Sequence, residues 1–184
     1  MFSDRDIKDA IKNKSLIVDP FRPESIRPAG LTLHLGEKIL KPSPGITVDI
    51  KKKILPDYQD TIIGDSTPYK LEPSEFVLGH TLEKVTVGND IGFLIEGRST
   101  LARLGLTVVQ TAMLVYPGHK ERAVTLELVN HSANPILLYP GMKIARVVLI
   151  KLDSPCENPY DETGKYADQE SVGAPVFKDE FTEL

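Results

Sequence analysis

The chain has 184 residues, 41% apolar and 26% charged, with 22 Lys and Arg against 26 Asp and Glu and a formal net charge of −4. That length supports one domain with a real core, and the acidic balance argues against a nucleic-acid binder, which carries a basic face, though not against a small anionic ligand held by a few local cations. A single cysteine, Cys156, excludes an internal disulfide and a multi-cysteine zinc site.

The opening MFSDRDIKDAIKNK is too polar for a signal peptide, and no run reaches membrane-spanning length, so the expected address is cytoplasmic. Ser3 followed by Asp6 predicts an N-cap with an acid in the first turn, opening a helix to about Lys14 with Ile7 and Ile11 on its apolar stripe. β-sheet material follows. LTLHLG (31–36) has the alternation of a half-buried strand, and ITVDI (46–50), EFVLGHTLEKVTV (75–87) and IGFLIEG (91–97) continue the pattern. A helical turn is expected from Ser99 to Leu104. Further strands are expected at LTVVQTAMLV (106–115), AVTLELVN (123–130), PILLYPG (135–141) and KIARVVLIKL (143–152). Pro44-Gly45, Gly88–Asp90, Pro117-Gly118 and Pro140-Gly141 punctuate them as turns. So many short strands predict a mainly β sandwich or barrel over residues 1–152. The aperiodic segment 153–184, rich in Pro, Gly and charge, reads as a flexible tail or lid of the same domain.

Few residues suit chemistry. GRSTLARLGL (97–106) gathers Arg98, Ser99, Thr100 and Arg103 at a helix start; these groups either cap the orphan N–H groups of the turn or hold a phosphate in front of it. Glu127 alternates with Leu126 and Leu128. If the leucines face the core, Glu127 is a surface carboxylate; if its own face closes a cleft, it becomes a usable proton shuttle. His34, His80, His119 and His131 are scattered, without metal-ligand spacing, and the H-x-E with P-C-x-x-C pattern of zinc deaminases is absent, as are a P-loop and a G-x-S-x-G elbow. Tyr116, before a Pro-Gly turn, can stack on a base or simply pack. Lys165, Tyr166 and Gln169 in GKYADQES form a lid or a solvated tail.

SDRDIKDAIKNKSLIVDPF, PSEFVLGHTLEKVTV, EGRSTLARLGL, TLELVN, YPGMKIARVVL and KYADQES resemble, in order and spacing, the dCTP deaminases, which share a superfamily with the trimeric dUTPases. The resemblance covers nearly the whole chain, and the S-[ST]-L-x-R-x-G-L segment with the downstream T-L-E is its specific part. It implies a distorted β-barrel of the dUTPase-like β-clip kind, assembled as a homotrimer with sites shared between subunits. It further implies that Ser99 and Arg103, with Arg98 and Thr100 beside them, bind the phosphates and help hold the attacking water. Glu127 matches the catalytic carboxylate, and the backbone of Ala112 helps fix the water. Lys165, Tyr166 and Gln169 fold over a triphosphate whose charge is shared with Mg²⁺, with no catalytic zinc. The implied reaction is hydrolytic deamination of dCTP to dUTP and ammonia, with dUTP and dTTP as other nucleotides of the same class; no nucleic acid or membrane is implied.

The chain departs from the family pattern. Thr32 stands at an aspartate position before L-x-L-G, Tyr116 replaces the aspartate of an I-D-x-G turn, and Val109 occupies a histidine position. Met113 and Leu114 are unusual, and GHKERAV is one residue longer than the usual loop. The lost aspartate at 116 argues against a dUTP diphosphatase, alone or combined with deamination. The three substitutions together raise a catalytically degenerate nucleotide-binding homologue as a rival, and Tyr116 with Met113 raises a different or modified pyrimidine.

Overall fold

The computed structural model describes residues 1–178 together with Glu180 and Phe181. The chain opens with α1 (Asp4–Lys12), β1 (Leu16–Asp19), a 3₁₀ turn (Pro23–Ser25), β2 (Ile26–Arg27), β3 (Gly30–His34) and β4 (Lys38–Pro42). There follow β5 (Tyr58–Ile62), β6 (Tyr69–Leu71), the long β7 (Phe76–Val87) and β8 (Ile91–Gly97). The short α2 (Ser99–Arg103) leads to β9 (Leu106–Thr107), β10 (Leu114–Val115) and β11 (Arg122–Asn130). β12 (Ile136–Leu138), β13 (Lys143–Lys151) and α3 (Tyr160–Thr163) complete the elements.

The molecule is mainly β, as expected. One sheet runs β5-β4-β7-β11-β9, with β1 added along β7; a second runs β10-β8-β13-β3-β2; β12 and β6 form a separate pair. Their strand pairs are antiparallel. Among the described residues the strands do not close into one continuous hydrogen-bonded barrel: the barrel is distorted into facing sheets. Between them lies the core, with Val77, Leu126 and Leu128 from one sheet and Leu33, Phe93 and Leu149 from the other, each at most 1% exposed. Excluding these side chains from water is the main term holding the sheets together. No helix among the described residues is long and apolar enough to cross a membrane.

The N-terminal signal reads true. Ser3 accepts from the Asp6 N–H while the Asp6 carboxylate accepts from the Ser3 N–H, a closed capping box, and Ile7 is fully buried beneath the helix. Three strand expectations need correction. β3 is buried on both faces, because its polar residues Thr32 and His34 find internal partners: Thr32 accepts from Arg27 Nε at 3.3 Å, and His34 meets Glu83. Residues 46–50 alternate like a strand but form only an isolated bridge, Asp49 to Ile54, and Ile46, Val48 and Ile50 are about half exposed; with no strand to pair against, alternation alone does not make a sheet. Residues 106–115 are not one strand. β9 pairs with β11 in the first sheet and β10 with β8 in the second, so the chain between them must leave one sheet to enter the other. That crossing shapes the site.

Candidate active site

Along β11, alternation sends Val124, Leu126 and Leu128 into the core and turns Thr125 and Glu127 to the opposite face. That face is covered. A cavity of about 280 Å³ is lined by Glu127, Thr125, Ala123 and Arg122 from β11, by Ala112, Tyr116 and His119 from the preceding segments, and by Tyr160, Tyr166 and Gln169 from the C-terminal segment. Glu127 is half-buried in its wall. The crossing segment fixes it: Glu127 N–H donates to the Val108 carbonyl at 3.0 Å, and Gln110 N–H donates to Glu127 Oε2 at 2.8 Å. One backbone donor holds the carboxylate while its other oxygen stays available, the arrangement a proton acceptor needs. The same pinned crossing carries Ala112 into the cavity wall.

The C-terminal segment reaches this face through particular contacts. Gln169 Nε2 donates to Thr125 Oγ1 at 3.2 Å, Ala123 N–H donates to the Glu170 carbonyl at 3.3 Å, and Val172 is buried against Leu40 and Leu78. Tyr160 stacks near-parallel on Tyr116, with ring centroids 6.1 Å apart, and Tyr166 lines both this cavity and a neighbouring one of about 760 Å³. Lys165 lines the second cavity and pairs with Glu180. Below the first, His119 is 6% exposed, edge-on to Phe93, with Nε2 3.3 Å from the Arg122 carbonyl; burial pushes its pKa down to about 4, so the ring is neutral at physiological pH.

The structure thus brings Glu127, Ala112, Tyr116, Tyr166 and Gln169 together, with Lys165 alongside. It does not bring α2 to them. Ser99, Thr100 and Arg103 are exposed and line neither cavity. Nor do the hydroxyls cap the turn: Arg98 occupies the N-cap position, without a side-chain cap hydrogen bond, and its guanidinium donates from Nη1 to the Lys143 carbonyl at 3.0 Å. Val109 is half-buried and packs against the main core. Arg122, His119 and Tyr160 belong to no motif in the sequence, His119 standing there only as one of four scattered histidines. The longer GHKERAV loop was the signal for the first two, and the Pro159-Tyr160 pair ahead of the GKY segment was the signal for the third.

The site is thus a carboxylate in an aromatic cavity of an antiparallel β fold, lined in part by the chain's own C-terminal segment. A model of the "dCTP deaminase-like" family matches residues 1–152. The chain is 39% identical over 173 residues to "dCTP deaminase, dUMP-forming" of Thermobifida fusca, covering 87% of this chain and 82% of that protein. It is 33% identical over 175 residues to the protein of the same description from Persephonella marina, covering 95% of both. The solved 2'-deoxycytidine 5'-triphosphate deaminase from Agrobacterium tumefaciens superposes with a TM-score of 0.60 at 19% identity over 80% of this chain, which spans about half (47%) of that one. The chain belongs to the dCTP deaminase-like family.

Proposed function

We propose that the chain hydrolyses the exocyclic amino group of dCTP. The observation that carries this reading is the half-buried Glu127 carboxylate, held by one backbone N–H in the wall of a cavity that the C-terminal segment helps to line. In the reaction, Glu127 takes a proton from a water, the hydroxide attacks C4 of the cytosine ring, and the carboxylic acid returns that proton toward the ring or the departing ammonia. Ala112, carried by the pinned crossing, supplies backbone polar groups to orient the water. Gln169, Tyr166 and Lys165 enclose the nucleotide from the C-terminal segment, and Mg²⁺ enters as part of the triphosphate substrate. Ser99 and Arg103, with Arg98 and Thr100 beside them, serve a neighbouring subunit's cavity in a homotrimer; the exposure of Ser99, Thr100 and Arg103, outside this chain's own cavity lining, supports that arrangement.

A second reading concerns the product. The relatives described above carry the name "dUMP-forming", which favours loss of pyrophosphate after deamination. Tyr116, where an aspartate would orient the water for phosphate attack, favours stopping at dUTP. Incubation with dCTP and Mg²⁺, followed by ammonia measurement and nucleotide chromatography, tests both. Ammonia with dUTP supports the first product and ammonia with dUMP the second, while bound dCTP without ammonia overturns deamination.

A further inference from the structure

We propose that Arg122 is a phosphate-binding residue of the Glu127 cavity and sets a preference for triphosphate over monophosphate nucleotides. The inference rests on the nucleotide reading above and extends it to a residue outside the motifs that carry the family resemblance.

Strict alternation along β11 would send Arg122 inward with Val124. It does not: the pairing of β11 with β7 shifts register between Ala123 and Thr125, the extra residues falling on β7, and both Arg122 and Ala123 stand half-buried in the cavity wall. Among the described residues lining the cavity, Arg122 is the only Lys or Arg, and the neutral His119 beside it adds no positive charge. The guanidinium lies 6.0 Å from the Tyr160 ring centroid, near enough to be oriented by the ring face.

Its Nη1 is buried and has no hydrogen-bond partner among the described residues. Arginine stays protonated even when buried, and a buried donor without an acceptor costs free energy. An oxyanion at this point would remove that cost, and the planar fork of arginine suits phosphate oxygens. Position along the strand selects which part of a nucleotide supplies it. Arg122 and Glu127 stand five positions apart on β11, roughly 16 Å of extended chain. A nucleotide with its cytosine at Glu127 therefore presents its phosphate chain, and not its base, to Arg122. The separation also keeps the cation from pairing with the carboxylate that must accept a proton.

Calorimetric titration with dCTP and with dCMP tests this, each with Mg²⁺, in a Glu127→Gln background so that nothing is consumed. Arg122→Gln should weaken dCTP by about tenfold to a hundredfold, the worth of a charge-assisted hydrogen bond. dCMP should shift by less than about twofold, since it lacks the distal phosphates. Arg122→Lys, which keeps the charge and loses the fork, should fall between; it carries the test alone if the glutamine variant does not melt cooperatively. Equal weakening of dCTP and dCMP, or undiminished dCTP binding, overturns the proposal. Ammonia release by the native chain is measured separately: dCTP binding without ammonia sinks deamination and leaves the Arg122 ratio decisive, whereas failure to bind either nucleotide sinks both.

Discussion

Two glutamates sit on neighbouring, hydrogen-bonded strands and have opposite fates. Glu83, on β7, is 1% exposed and fully engaged: Oε2 accepts from the His34 backbone N–H at 2.8 Å, Oε1 lies 2.5 Å from His34 Nδ1, and Arg22 Nη1 is 3.7 Å away. Glu127, on β11, is half-buried and held by a single backbone donor. A carboxylate with both oxygens committed holds the fold together. One with an oxygen left over, in the wall of a cavity, can do proton chemistry. Burial alone does not separate structure from function; the count of committed partners does.

The sharpest way to break this contrast is Glu127→Gln. The amide keeps the shape and the contact to Gln110 but cannot take a proton, so ammonia release should fall by at least about 10³-fold while dCTP binding persists. Its melting midpoint should stay within about 2 °C of the native chain. Ammonia release within tenfold of native would remove Glu127 from the chemistry. Glu83→Ala should do the reverse. It strands His34 and Arg22 without their acceptor, costing about 3–5 kcal/mol and lowering the melting midpoint by roughly 10 °C in scanning calorimetry, with turnover per folded molecule largely preserved.

Two histidines extend the comparison to pH. His34 has Glu83, whereas His119 beneath the cavity is held neutral by burial, with a pKa of about 4 against an ordinary 6.5. Between those values the unfolded chain binds the proton that the folded chain refuses. The stability associated with a neutral His119 is therefore complete above about pH 6.5 and lost as pH falls toward 4, on the order of 3 kcal/mol. His80, lowered by burial as well, adds in the same direction. Urea unfolding at pH 7 and pH 4.5 should show the loss, and His119→Phe should shrink it. An unchanged slope in that variant would place the acid sensitivity elsewhere.

The smallest expected effect concerns closure over Glu127. Gly118 has φ +80°, and a Cβ there would stand 2.6 Å from Pro159 Cβ and 2.9 Å from the Tyr160 nitrogen. Gly118→Ala should strain the turn and push the C-terminal segment off the cavity. A several-fold rise in KM for dCTP, with faster proteolytic clipping beyond residue 153, is the expected signature; unchanged KM would mean that the segment's docking does not contribute to binding.

Much of this was legible without coordinates, and the reasons differ by element. The capping box at Ser3 and Asp6 was readable because its hydrogen bonds span three residues. β7, β8, β11 and β13 were readable because each carries a long stretch of apolar side chains matched to the pleat. ITVDI misled because the same alternation occurs where no neighbouring strand is available. LTVVQTAMLV misled because its middle must cross between sheets, and a crossing leaves no period in the sequence. The motif residues of the C-terminal segment were legible by resemblance, but the contacts of Gln169 with Thr125 and of Val172 with Leu40 and Leu78 were not, since they join residues more than forty positions apart.

The sequence by itself determined the β class and the opening helix, because local hydrogen bonding and two-residue periodicity leave marks within a few positions, and the ordered motifs carried the family resemblance. Only the tertiary structure decided that Glu127 faces a cavity while Glu83 is locked to His34, and that Arg122 lines the same cavity as Glu127. Those outcomes depend on strand register and on which distant backbone group arrives opposite each carboxylate.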